Sequence, residues 1–230
     1  MKISVLGTGV VGQTISAKLA ELGHDVMIGT RNAAETLARS EPGPYGQPPF
    51  SAWLKQHPIV HLGSYSEAAQ HGEVVINATN GMGSLDALSQ AGESGLNGKI
   101  LIDISNPLDF SHGMPPTLSV SNTDSLGEQI QRAFPQTKVV KTLNTVTASL
   151  MVAPHLVADG EHTLFLSGND PAAKSQVAGW LAGWFGWKHI LDLGDITTAR
   201  GVEMYLPLWL RLWGALGTGM LNIRVVKEKG

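Results

Sequence analysis

Short apolar runs and one amphipathic stretch alternate along the first thirty residues. Residues 2–6 are β-prone and mostly apolar, after which Ile15, Leu19 and Leu22 recur at helical spacing before Gly23. Residues 25–29 form a second apolar run. The pattern predicts strand, helix and strand, a complete βαβ unit. Further runs predict strands at 59–62, 74–78, 99–104 and 138–142, with helices at 66–71, 84–91 and 124–134 between them. Strands separated by helices imply an α/β fold built on a doubly wound parallel sheet. Residues 40–50 hold Pro42, Gly43, Pro44, Gly46, Pro48 and Pro49, and read as a surface loop.

The texture changes after about residue 150. A strand is expected at 163–167, a helix at 171–185, a strand at 189–193, and a long apolar helix or helix pair at 198–221. Two units are therefore expected: residues 1–150, and a small mixed C-terminal part over 151–230 that ends in the apolar helix. Residues 204–221 approach the length of a membrane span. Pro207, Arg211 and three glycines interrupt them, so a buried or dimer-interface helix is the expectation, in a cytoplasmic protein with no membrane partner.

Composition narrows the chemistry. Of 230 residues 43% are hydrophobic and 15% charged, enough for a sizeable core and too little charge for a disordered chain. The formal net charge of −3 argues against a nucleic-acid partner, since no basic excess is available to neutralise phosphates. With no cysteine, disulfides, thiolate metal sites and a cysteine nucleophile are excluded.

The strongest motif is Gly7-Thr8-Gly9-Val10-Val11-Gly12, which follows the first strand and opens the first helix. In that context it is a dinucleotide-binding turn of Rossmann type. Gly7 permits the tight turn, Gly9 lets backbone approach a pyrophosphate, and Gly12 allows close helix–strand packing. The second strand ends in Gly29-Thr30-Arg31-Asn32, with no carboxylate before Glu35. An acidic residue there would favour NAD; Arg31 suits the 2′-phosphate of NADP(H), with Thr30 and Asn32 as further donors. Later strand ends should complete the cleft. Ala78, Thr79 and Asn80 are expected near the pyrophosphate and ribose, and Asn106 and Pro107 beside the nicotinamide. Asn144, Thr145 and Val146 are expected against the substrate. Turn capping is the alternative for the asparagines.

Other signals carry less. No Gly-x-Ser-x-Gly elbow, phosphate loop ending in Gly-Lys-Ser/Thr, or His-Glu-x-x-His site is present, and Tyr45, Tyr65 and Tyr205 lack a lysine four residues on. His57 and His61 flank a proline and a β-branched pair, so no metal role is expected. No acid–base catalytic residue is assigned. Trp180, Trp184, Trp187, Trp209 and Trp213 read as core or dimer packing. Arg200 and Glu203, three apart at the head of the last helix, read as a structural ion pair, with a place at the border of the active site as the alternative.

Together these residues resemble the NADPH-dependent oxidoreductases of the coenzyme F-420 reductase family. The likeness continues through Asp103-Ile104-Ser105-Asn106-Pro107 and the run Val139-Val140-Lys141-Thr142-Leu143-Asn144-Thr145. It ends with Asp192-Leu193-Gly194-Asp195, leading to Ala199-Arg200 and Glu203. It implies a homodimer with NADPH lying across the strand ends. It also implies a small-molecule electron acceptor, coenzyme F-420, whose deazaflavin stacks on the nicotinamide for direct hydride exchange. The segment Leu143-Asn144-Thr145-Val146-Thr147 lacks the histidine and proline expected there in deazaflavin-using members. The metalloreductase cytoplasmic domains, which share the fold, pass NADPH electrons to a flavin, so a flavin stays open as acceptor. Reduction of a small imine or carbonyl, and a non-catalytic NADPH-sensing module, are the two other readings.

Overall fold

The computed structural model describes residues 1–43 and 46–228. Six parallel strands form the central sheet: β1 (Lys2–Leu6), β2 (Asp25–Thr30), β3 (His61–Ser64), β4 (Val74–Asn77), β5 (Ile100–Asp103) and, after a short antiparallel hairpin of β6 (Leu108–Asp109) and β7 (Thr117–Leu118), β8 (Lys138–Lys141). Their order is β3-β2-β1-β4-β5-β8, so the chain runs outward from β1 in one direction and then returns to build the other half. The reversal lies between β1 and β4, where open parallel sheets hold ligands beyond their strand ends.

Alternation along the strands sorts side chains into two cores. Ile3 and Val5 of β1, Ile28 of β2, Ile76 of β4 and Ile102 of β5 pack on one face, against Ile15 and Leu19 of α1 (Val10–Glu21). Leu6, Val75 and Leu101, one residue out of phase, face the other side. There they meet Ala68 and Ala69 of α4 (Tyr65–His71), Leu88 of α5 (Ser84–Ala91) and Leu96 of α6 (Glu93–Leu96), with Leu126 and Ile130 of α7 (Leu126–Ala133). Each fully buried Val, Leu or Ile side chain among them contributes about 1.5–3 kcal/mol relative to exposure. Two short helices, α2 (Ala33–Ala38) and α3 (Phe50–Gln56), follow β2.

Beyond β8 the chain continues into α8 (Ala148–Val152) and a parallel pair, β9 (Thr163–Leu166) and β10 (His189–Asp192), joined by α9 (Pro171–Phe185). Ala173, Val177, Leu181 and Phe185 recur every four residues on α9 and enter the same core as Ile102 and Val140. An antiparallel bridge between Lys141 and Ser167 ties this unit to β8.

Several expectations shift. The third strand is β3 at His61–Ser64, two residues later than expected, because Val60 N–H closes a turn onto His57 O and leaves Ile59 exposed. Of the two forms expected for the terminal segment, the helix pair is the one found: α10 (Ala199–Met204) and α11 (Leu206–Leu216). Pro207 restarts the helix in its first turn, and Gly217, at φ +67°, ends it before Leu221. Among the described residues no helix is long and apolar enough to cross a membrane. Pro44 and Tyr45 of the expected loop lie outside the described residues.

Candidate active site

Backbone contacts build the first part of the site. Gly7 has φ +118° and donates its N–H to Gly29 O, 2.9 Å away at the end of β2. A Cβ on Gly7 would lie 2.6 Å from Ala78 O, and one on Gly12 would lie 2.0 Å from Gly7 O. Turn, helix and β4 are therefore as close as glycine allows. Gly9 caps α1 in extended conformation with no side-chain cap, and a Cβ there would meet nothing within 4 Å. The first turn of α1 carries no acidic residue, so no carboxylate of that turn offsets its positive dipole end. Those features fit a pyrophosphate. Gln13, which the glycine pattern does not reveal, braces the turn by donating to Thr8 O at 2.8 Å.

At the end of β2 the three polar residues divide their work. Thr30 is buried and shares a 2.9 Å hydrogen bond with Thr36 of α2. Asn32 caps α2 by accepting from Glu35 N–H at 3.1 Å, while its amide donates to Glu35 Oε1 at 3.0 Å. Arg31 projects outward with its side chain 72% exposed, and its nearest acid is Asp86 at 3.8 Å. A long surface pair of that kind contributes little, so the guanidinium is available to a 2′-phosphate. Glu35 is engaged in the cap of α2.

The ends of β4, β5 and β8 are linked through buried side chains. Asn77 donates to Asp103 Oδ1 at 2.8 Å, and Thr79 Oγ1 donates to Asn77 Oδ1 at 2.6 Å. Asn80 caps the turn that follows, accepting from Met82 N–H. A Cβ on Gly81 would lie 1.8 Å from Asn106 O, so the loops after β4 and β5 touch at that glycine. The Asn-Gly pair at a strand end was the available signal for it. Asn106 and Asn144 bond reciprocally: Asn106 Nδ2 reaches Asn144 O and Asn144 Nδ2 reaches Asn106 Oδ1, both at 2.9 Å.

Beneath these loops lies an ion triad that pattern reading did not find. Lys141 is fully buried, with Asp103 Oδ2 and Glu203 Oε1 each 2.8 Å from its Nζ. Burial opposes the ammonium charge, but the two carboxylates outweigh it and hold the Lys141 pKa above the ordinary lysine value. Glu203 also accepts the N–H groups of Leu126 and Gly127 at 2.8 and 3.0 Å, which caps α7. Glu203 is thus paired with Lys141, not with Arg200. Arg200 binds Glu128 through two nitrogens instead and keeps that carboxyl below its ordinary pKa. The expected Arg200–Glu203 bridge is corrected, because their side chains serve different neighbours.

A cavity of about 580 Å³ opens beyond these strand ends. Val10, Val11, Ala78, Thr79 and Asn80 line one side, and Asn106, Asn144, Thr145 and Val146 line the floor. Gly7, Thr8, Gly9 and Gly12 stay in the turn, Thr30, Arg31 and Asn32 at the end of β2, and Pro107 in the loop after β5, its carbonyl accepting from Ser119 N–H. The far wall was not anticipated. Phe110 and Met114 come from the hairpin segment, while Leu206, Trp209, Leu210 and Trp213 come from one face of α11. The two tryptophans read as packing because their helical spacing is shared by any buried face; their ring centroids lie 5.5 Å apart.

Residues 2–107 match the family model described as NADP oxidoreductase coenzyme F420-dependent. A crystal structure from Arthrobacter sp. FB24, named as a proposed F420-dependent NADP-reductase, is 60% identical with a TM-score of 0.94. The match covers 99% of this chain and 100% of that one. The F420-dependent NADP reductase of Methanothermobacter marburgensis is 27% identical over 216 residues, 92% of each chain. Metalloreductase STEAP3 of Rattus norvegicus is 27% identical over 215 residues and 90% of this chain, but the chain spans only 38% of that protein's length. With the likeness running from β1 to the C-terminal helices, the chain belongs to the family of coenzyme F420-dependent NADP oxidoreductases.

Proposed function

We propose that the protein moves hydride between NADP(H) and the ring of a deazaflavin or flavin acceptor. In this reading the turn from Gly7 to Gly12 receives the pyrophosphate and Arg31 the 2′-phosphate. Ala78, Thr79 and Asn80 border the ribose, Asn106 and Pro107 the nicotinamide, and Asn144, Thr145 and Val146 the acceptor. Residues 1–150 hold the nucleotide, and residues 151–230 complete the acceptor chamber. The observation that carries it is continuity: strand ends suited to a nicotinamide open directly into a chamber walled by Phe110, Trp209 and Trp213.

NADP(H) supplies the reducing equivalents when bound, and the chain supplies placement. Hydride transfer between two flat rings needs close, face-to-face positioning and no protein nucleophile. Residues from the ends of β4, β5 and β8 fix the floor, and the apolar far wall keeps water from the reacting faces. Among the described residues lining the chamber none is a Lys, Asp, Glu, His or Tyr. That agrees with ring-to-ring transfer better than with reduction of a carbonyl or imine, which needs a proton donor.

The exposed apolar residues Leu208, Leu216 and Val226 near the C-terminus support a homodimer. A light-scattering mass of one chain would contradict it. The activity is tested by following NADPH absorbance while offering coenzyme F-420, FMN and FAD in turn. Oxidation with one of them is expected; tight NADPH binding with no turnover on any would favour a nucleotide sensor.

A further inference from the structure

The guanidinium at the end of β2 faces a carboxylate that comes from the other half of the sheet. Arg31 Nη2 lies 3.8 Å from Asp86 Oδ2 in the first turn of α5, and both side chains are largely exposed. Gln90, one turn further along α5, donates to the same Oδ2 at 2.8 Å and orients the carboxylate. The acids that follow β2 and β3 are engaged elsewhere. Glu35 closes the cap of α2, and Glu67 accepts Ser64 N–H and Oγ–H at 2.7 and 2.8 Å in the cap of α4. Tyr65, at the start of α4, senses both charges: burial raises the pKa of its phenol, Arg31 lowers it and Asp86 raises it.

A pair this exposed adds little to stability, because water screens it. Its consequence lies in what a ligand meets. No other Lys or Arg occurs between Asp25 and Ala38, so Arg31 alone supplies positive charge on this stretch. A 2′-phosphate is a monoester carrying about −1.5 to −2 at pH 7. Seated on Arg31, it would share one guanidinium with the Asp86 carboxylate, and the two like charges repel. The ribose of NAD(H) has a neutral 2′-hydroxyl and meets no such opposition.

We propose that Asp86 is a specificity-determining counter-charge. It pairs with Arg31 while the nucleotide is absent and repels the 2′-phosphate once that arrives. The site therefore prefers NADP(H) over NAD(H) by less than Arg31 alone would give, and NADP⁺ leaves sooner. The inference rests on the reading that assigns the 2′-phosphate to Arg31, and adds the residue that limits its grip.

The test is calorimetric titration of Asp86→Asn with NADPH and NADH, beside Asp86→Glu, which keeps the charge. At low ionic strength Asp86→Asn should tighten NADPH about three- to fivefold and leave NADH unchanged, and NADP⁺ should dissociate more slowly by the same factor in stopped flow. The gain should fade at high salt. Asp86→Glu should leave both affinities where they were. Unchanged or weaker NADPH binding in Asp86→Asn would overturn the proposal, as would an equal gain for NADH or the same gain in Asp86→Glu. A carboxylate that served only the dipole of α5 would lower the unfolding midpoint and move neither affinity, which also overturns it.

Arg31→Ala separates the two claims. If it removes the preference for NADPH while Asp86→Asn changes nothing, Arg31 keeps the phosphate and the counter-charge falls. If it weakens both nucleotides equally while Asp86→Asn still tightens NADPH alone, Asp86 faces the phosphate and the Arg31 assignment falls.

Discussion

The glycine turn and the apolar chamber are built from different material. In the turn, backbone meets backbone: a side chain on Gly7 or Gly12 would collide with a carbonyl, and the flanking Val5, Leu6 and Ile15 are fully buried in the two main cores. In the chamber, side chains from a short hairpin and α11 face one another. Their support is a small cluster of Leu206, Trp209 and Leu221, with Phe110 and Met114 left exposed. The two halves of the proposed site thus differ in how firmly they are held. A pyrophosphate has one shape and can be met by a rigid cradle, whereas an adaptable apolar wall accommodates rings of more than one kind.

The strongest way to break this contrast is to cut the link between the halves. Lys141 joins β8 to Asp103 at the end of β5 and to Glu203 on α10. Lys141→Met leaves two carboxylates buried without a counter-charge, and should cost about 3–5 kcal/mol of stability in urea unfolding. An unchanged midpoint would show that the triad does not hold the halves together. Gly12→Ala comes next. Its methyl would overlap Gly7 O, so NADPH affinity should fall about a hundredfold while riboflavin binding to the chamber persists. Equal loss of both ligands would mean that the halves are not separable.

Arg31→Ala should be milder and more selective. Losing charge-assisted bonds to the extra phosphate is worth about 1.5–3 kcal/mol, so NADPH should weaken by about ten- to a hundredfold and NADH hardly at all. Equal losses for the two nucleotides would remove that role. The smallest expected effect is away from both halves. Asp124 accepts two hydrogen bonds from Arg132, which holds its pKa at about 2 against an ordinary 3.8. A carboxylate pKa lowered by folding stabilises the protein above its unfolded value, and that stability is lost as pH falls from about 4 toward 2. Half-exposed partners limit it to at most about 1 kcal/mol. Asp124→Asn should therefore flatten the acid limb of the stability curve slightly, as read by denaturation midpoints at pH 5 and 3; an unchanged limb would deny the pair any role.

What could be read from the chain follows the same division. The β1–α1–β2 unit was legible because a glycine motif is a local statement about backbone, and α5 was legible because its flanking breaks are sharp. The third strand was displaced since Ile59 and Val60 are β-prone in isolation, and only the turn onto His57 shows otherwise. The triad was hidden: Asp103, Lys141 and Glu203 lie far apart in sequence, and a lysine at the end of a strand carries no mark of burial. Trp209 and Trp213 were visible as one face of a helix, but whether that face meets a core or a cavity is decided by the hairpin opposite.

Isotope transfer tests the central claim most directly. NADPH deuterated at the nicotinamide carbon that donates hydride is mixed with the protein and oxidised coenzyme F-420, and the reduced deazaflavin is examined by mass spectrometry and NMR. The account predicts one deuterium on the ring carbon of the product, with none lost to water. A reduced product carrying solvent hydrogen there, or no reduced product with this or any flavin acceptor, would contradict direct transfer between two rings held at these strand ends.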